Sequence, residues 1–273
     1  MEGEIHRRGL DGGMRERLLG PFFSGVFLED TLGTELSVFR KDLRYFTTGR
    51  ALLPARGMGE IPRQLAAQIP SGRIRYGARV TAFGRNSSGS HRLVLQSGEE
   101  IACDKLVLAT DERSSRTLLG LPEGRAWKSV TTLSFRGEDP LYDGALIVLP
   151  RRIRGAASPL LHFTDLTNVA PEYAPSGSRL ISATLLGIRD EEAEETARAG
   201  ISAIFPDFTR WTLLKSVTLP AALPEQSPGY AARMPARRPF RDLWLAGDQV
   251  FRASIEDVLS GGLRTADEIL QTL

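Results

Sequence analysis

Between Arg241 and Leu270 the spacing of apolar residues changes once. Leu243, Trp244, Leu245 and Ala246 form an unbroken apolar run, which predicts a short buried strand. Gly247 and Asp248 end that run. Apolar residues then recur at Ile255, Val258, Leu259, Leu263, Ala266, Ile269 and Leu270, a spacing that predicts a helix with one apolar face. Ser254 stands where the helix needs an N-cap. Glu256 and Asp257 fall in the first turn, where carboxylates suit the positive end of the helix dipole. Gly261 and Gly262 lie mid-helix, where glycine is unfavourable, so close packing or close approach of a ligand is expected there. A strand, a Gly-Asp at its carboxyl end and a helix N-terminus facing the same space together form a site suited to an anionic cofactor.

The rest of the chain divides by pattern. Residues 1–20 are polar and glycine-punctuated, a surface segment running into a short helix. Phe22, Phe23, Val26, Phe27 and Leu28 form a bulky apolar cluster, and Thr34 with Leu36, Val38 and Phe39 predicts a further helix. Gly59 and Pro62 bracket a helix start, with Ile61, Leu65 and Ile69 on one face. Ile74, Tyr76 and Val80 predict a short strand. Residues 91–96 and 100–109 are two more strands joined by a Ser97-Gly98 turn, and Thr110 and Asp111 stand ready to cap a helix after them. From 127 to 227 the runs VTTLSF, GALIVLP, LLHFTDL, RLISATLLG and WTLLKSVTLPAALP predict a mixed or antiparallel sheet, with an amphipathic helix from Asp190 to Ile204 packed on it.

Composition narrows the possibilities. The chain has 273 residues, enough for one large domain or two modest ones, and its 41% apolar and 25% charged residues are ordinary for a globular protein. A net charge of +2 gives no reason to expect a nucleic-acid partner. Arginine supplies most of the positive charge and is scattered, apart from Arg151, Arg152 and Arg154, which read as a solvated loop or a contact for an acidic partner. The single cysteine, Cys103, allows no internal disulfide and reads as a small buried apolar residue. His6, His91 and His162 are too far apart to suggest a metal site. Ser24, Ser87 and Ser260 lack a nucleophile-elbow context. No apolar run has transmembrane length and no secretory leader is evident, so the expected location is cytoplasmic.

Four stretches resemble the C-terminal part of the FAD-dependent amine oxidase, protoporphyrinogen oxidase and phytoene desaturase superfamily. They are LLPARGMGEIPRQLAAQI, IRYGARVTAF, CDKLVLATDERSSRTLLG and LWLAGDQVFRASIEDVLSGG, and their order matches. The resemblance implies a fold of mixed α/β (α+β) class, in which a partial FAD-binding domain is interleaved with a mixed-sheet substrate domain. Residues 51–118 and 228–273 would form the FAD lobe, and residues 1–50 and 119–227 the substrate lobe. It implies cofactor contacts at Val80, whose main chain would meet the adenine, and at Gly247, Asp248, Ser254, Ile255 and Glu256. It also implies hydride transfer from a small apolar or amine substrate to the flavin. The family's N-terminal GxGxxG unit has no counterpart in this sequence; Gly57 and Gly59 are the nearest approach and follow a loop. A separate chain carrying that half is therefore an expected partner, and a non-catalytic subunit or fragment the alternative to a stand-alone enzyme.

Each site residue also has a structural reading. Asp248 is either a ligand to a cofactor hydroxyl or a strand-end aspartate in a turn. Ser254, Ile255 and Glu256 are a flavin-facing helix end, a simple cap, or both. Val80 is an adenine contact or a core strand residue. Tyr230 lines a flavin face or is a surface aromatic, and the second reading is preferred because no partner aromatic is evident. None of Lys41, Lys105, Lys128 and Lys215 sits in a motif that marks a proton-transferring lysine, and no catalytic residue is assigned.

Overall fold

A computed structural model of the chain describes residues 2–7, 9, 12–87, 89–150 and 159–272. The arginine cluster at Arg151, Arg152 and Arg154 lies outside the described residues. In chain order the elements are helices α1 (Glu2–Arg7), α2 (Gly20–Phe27), α3 (Leu36–Thr48) and α4 (Glu60–Ala67), then strands β1 (Val80–Arg85), β2 (His91–Leu95), β3 (Glu100–Cys103) and β4 (Leu106–Leu108). Next come α5 (Glu112–Leu119), β5 (Trp127–Gly137), β6 (Leu160–Asp165), β7 (Arg179–Leu186), α6 (Ala193–Ser202) and β8 (Thr212–Pro224). The chain finishes with α7 (Tyr230–Arg233), β9 (Leu243–Leu245) and α8 (Ile255–Leu270).

It divides into two compact units, Met1–Ala67 with Trp127–Pro228, and Gln68–Ala126 with Gly229–Leu273. The first two breaks fall later than the sequence pattern placed them. α4 groups with the first unit, and Arg125 is tied to Glu112 in the second.

The first unit is built on a four-stranded antiparallel sheet in the order β6-β7-β5-β8. Along β7 the buried residues are Ile181, Ala183 and Leu185, alternate positions that share one face of the pleat. Leu133, Phe135 and Phe163 join them, and α6 covers them with Ala193, Ala197 and Ile201. Trp211 lies so close to Gly137 that a side chain there would overlap the indole. The expected strand at GALIVLP reduces to one bridge, Val148 with Phe163. Of the expected apolar cluster, Phe23 packs on Phe22 and Phe27, and Phe39 and Phe46 of α3 join it. The further helix forms as α3, with Glu35 at its N-cap. Of the apolar face expected on α4, Ile61 is half-buried and Leu65 exposed, Ile69 lies past the helix end, and Glu60 is the buried residue.

The second unit contains an antiparallel sheet, β1-β2-β3, and a parallel pair, β4-β9. Strand pairing begins at Val80, so Ile74 and Tyr76 lie before it. The single strand expected over 100–109 is two strands, interrupted at Asp104 and Lys105, which lets the chain leave one sheet and enter the other. The core gathers Leu106, Leu108, Leu243, Leu245 and Val250, with Phe83, Leu93 and Cys103 against it. Cys103 is half-buried and burial pushes its thiol up, so it stays a packing residue. Among the described residues no helix is long and apolar enough to cross a membrane.

Candidate functional site

In the second unit β4 and β9 run side by side, with Leu106 paired to Leu243 and Leu108 to Leu245, so both strands end at the same level. The crevice beyond the carboxyl ends of parallel strands is where open α/β sheets bind ligands. Four loop residues define it here: Thr110, Gly247, Asp248 and Gln249. Gly247 has φ of 93°, in the left-handed region that favours glycine. The chain then coils tightly, and the amides of Val250 and Phe251 both donate to the Gly247 carbonyl.

Gln249 rivets the two strand ends together. Its Nε2 lies 2.9 Å from the Leu108 carbonyl oxygen, 3.2 Å from that of Thr110 and 2.8 Å from that of Ala246. The residue is fully buried, and its Oε1 has no hydrogen-bond partner among the described residues. A buried acceptor left open costs about 1–3 kcal/mol unless something donates to it.

Asp248 is half-buried. Burial lifts its carboxyl above the ordinary range; Arg125 pulls it back down, while Glu112 and Asp111 push it up. Arg125 is buried and donates from Nη2 to the Asp248 main-chain oxygen at 2.8 Å. Its Nε donates to Glu112 Oε2 at 2.9 Å, and its Nη1 is buried without a partner among the described residues. Nothing local marked Glu112, Arg125 or Gln249 in the sequence: an acid and an arginine near a helix start read as solvated surface.

Ser254 caps α8 as expected, its Oγ accepting from the Asp257 amide at 3.1 Å. Asp257 answers by accepting from Ser254 Oγ at 2.6 Å and from Arg252 Nε at 2.9 Å. The first-turn amides of Ile255 and Glu256 have no intrahelical acceptor and are the donors such a helix end offers a ligand. The side chains of Ile255 and Glu256 are exposed.

Five of the expected site residues, Gly247, Asp248, Ser254, Ile255 and Glu256, therefore lie on one short stretch after β9. Val80 sits elsewhere in the unit, pairing with Leu95 in the antiparallel sheet. Tyr230 corrects the sequence reading: it is buried at 5% exposure, as the first residue of α7, and is no surface aromatic. Lys105 and Lys128 are engaged, Lys105 Nζ with Thr272 Oγ1 at 2.9 Å and Lys128 Nζ with the Phe27 carbonyl at 2.9 Å. No group of His, Cys, Asp and Glu fit to hold a metal occurs among the described residues.

The half-buried Asp248 carboxyl supplies an acceptor beside the strand ends, and the first-turn amides of α8 supply donors. This set fits a polar, hydroxyl-bearing anionic group such as a dinucleotide.

A solved oxidoreductase from Methanosarcina mazei superposes with a TM-score of 0.73 at 15% identity, covering 97% of this chain and 67% of its own. A putrescine oxidase variant redesigned at its cofactor site gives 0.61 at 13% identity, covering 80% and 53%. Reduced UDP-galactopyranose mutase gives 0.58 at 13%, covering 87% and 60%. At these identities the likeness is one of fold, and this chain spans between half and two thirds of the length of those proteins. No curated protein matches it. The sequence does match the family described as flavin containing amine oxidoreductase over residues 1–270, nearly its whole length, and the chain belongs to that family.

Proposed function

We propose that this chain carries the flavin end of an FAD site and serves a flavin-dependent oxidoreductase. The observation that carries the reading is the stretch from β9 through Gly247 and Asp248 to the capped start of α8. It presents a carboxylate and free helix amides at the ends of two parallel strands. The second unit is then the cofactor lobe and the first unit the substrate lobe. Bound FAD would supply the hydride acceptor for a C–H or C–N bond of a small amine or apolar substrate. The chain's own residues hold and polarise. Asp248 would accept a hydrogen bond from a cofactor hydroxyl, and the amides of Ile255 and Glu256 would favour negative charge at the end of α8. Val80 is the adenine contact of this reading, through its main chain.

Titrating the purified protein with FAD tests the proposal. Quenched flavin fluorescence and a shifted absorbance band are expected, with Asp248→Ala weakening binding about tenfold, the loss of one charge-assisted hydrogen bond. Binding that Asp248→Ala leaves unchanged would refute the site.

A second reading, the non-catalytic subunit, is favoured by two surfaces in the cofactor lobe. The outer edge of β9 is bonded, with the Leu245 amide donating to the Arg237 carbonyl and Leu243 to Phe240. The outer edge of β4 has no strand partner among the described residues, and Val107 at its centre is 39% exposed. Parallel sheets are stable when both faces are covered and strands are several. Ile255, Leu259, Leu263 and Leu270 also leave an apolar stripe of α8 exposed. A separate chain contributing a parallel strand and its glycine-rich turn would cover both surfaces. Adding a separately produced βαβ chain with GxGxxG should slow hydrogen exchange at Val107 and create tight FAD binding. Unchanged exchange, with FAD bound equally well without it, would remove this reading.

A further inference from the structure

We propose that Arg125, held by Glu112, is a positioning residue for the Gly247–Asp248 turn, fixing its main chain and placing a positive charge beside the Asp248 side chain. The consequence for cofactor binding rests on the reading of Asp248 given above; the ion pair and its coupling do not.

Glu112 is the first residue of α5, directly after the Asp111 cap. Acids at that position are usually solvated, whereas this carboxylate is about 1% exposed. Its Oε1 accepts from Arg116 Nε at 2.9 Å and its Oε2 from Arg125 Nε at 2.9 Å. Gly124 makes the meeting possible, because a side chain there would overlap Glu112 and Arg116. The arginine is thus pinned by one carboxylate and directs Nη2 at the Asp248 carbonyl, 123 positions away in sequence, at 2.8 Å. A planar guanidinium suits this task because its donors keep a fixed angle; a lysine ammonium could not hold both partners in that plane.

Charge makes the arrangement more than a brace. Arg116 and Arg125 both pair with Glu112, and Arg125 also reaches the main chain of Asp248, so a positive charge stands beside the turn. The charged groups that act on Asp248 are Arg125, Glu112 and Asp111. Burial and the two acids favour its protonated form, and Arg125 favours the ionised form. An ionised Asp248 accepts hydrogen bonds only; a protonated one donates. Arg125 therefore favours the accepting form of the side chain, against burial and the two acids.

The test reads the Asp248 carboxyl directly, by carbon NMR of protein labelled at aspartate, assigned by loss of the signal in Asp248→Asn. Arg125→Met should move the titration midpoint of Asp248 upward by about one pH unit or more, and Glu112→Gln should move it downward. Arg125→Lys should bring the midpoint back toward that of the parent protein while leaving the turn amides less protected from exchange. Opposite signs for the two substitutions cannot come from a general loss of fold, and Glu112→Gln alone still decides the matter if Arg125→Met does not fold. A midpoint that stays put, or moves the same way in both, overturns the proposal. FAD titrations at pH 6 and pH 8 separate it from the flavin reading. If the midpoints move as expected and FAD binds nowhere, the flavin reading fails and this one stands. If FAD binds and the midpoints do not move, the reverse holds.

Discussion

The ring of Phe251 lies against the backbone of Gly261, so close that a methyl group at Gly261 would overlap it. The next residue, Gly262, has open space where its side chain would be. The two glycines that looked equivalent in sequence therefore have opposite requirements. Gly261→Ala should destabilise the protein by about 1–3 kcal/mol, because overpacking exceeds the gain in helix propensity. Gly262→Ala should stabilise it by about 0.5–1 kcal/mol. Denaturant midpoints at constant slope check both; equal effects of one sign would refute the contact.

Asp248 is predicted to trade stability for binding. Its folded-state carboxyl titrates above its ordinary value, so the group favours the fold most at low pH and loses that contribution as pH rises through the folded midpoint. Asp248→Asn should thus raise the melting temperature at pH 8, with the gain shrinking toward pH 4, while weakening FAD. A variant less stable at pH 8 than at pH 4, relative to the parent, would contradict the sign.

Asp111 acts in the opposite sense. Burial would raise its carboxyl, but hydrogen bonds from the Ser114 hydroxyl and from the Ser114 and Arg113 amides outweigh burial and hold it below the ordinary range. Its contribution is present at neutral pH and lost as pH falls through the folded midpoint. Asp111→Ala should cost about 1 kcal/mol at pH 7, the usual value of an N-cap, and less at pH 3. Calorimetry at the two pH values measures the difference.

His162 should give the first unit an acid-sensitive step. Burial pushes its imidazole down, and a side chain at Gly25 would press on its Nδ1. A depressed histidine stabilises the fold above its unfolded value and loses that contribution as pH falls below about 6.5. The drop in melting temperature from pH 8 to pH 5.5 should be smaller in His162→Gln than in the parent protein.

The chain around the candidate site was legible wherever the cause was local. The apolar run at Leu243–Leu245, the turn at Gly247 and the Ser254 cap depend on neighbours within four residues, and they form as the pattern predicts. Strand β7 was legible for the same reason: Ile181, Ala183 and Leu185 alternate along it, whereas the apolar run GALIVLP, read the same way, makes only one bridge.

What α8 does with its apolar face was not legible. Spacing fixes which residues share a face, and of the expected face Ile255, Leu259, Leu263, Ala266 and Leu270 are exposed while Val258 and Ile269 are half-buried; Leu263 is 71% exposed. The residues turned inward are Gly261 and Thr265, chosen by the position of the Phe251 ring. The Glu112–Arg125 pair and the Gln249 rivet were invisible too, because each joins residues far apart in sequence through side chains that pattern alone assigns to the surface. The sequence by itself determined the elements and their caps, since hydrogen bonding and periodicity act over one or two turns. Only the tertiary structure decided which charges are buried together and which apolar face is left bare, because burial is set by what the rest of the chain brings alongside.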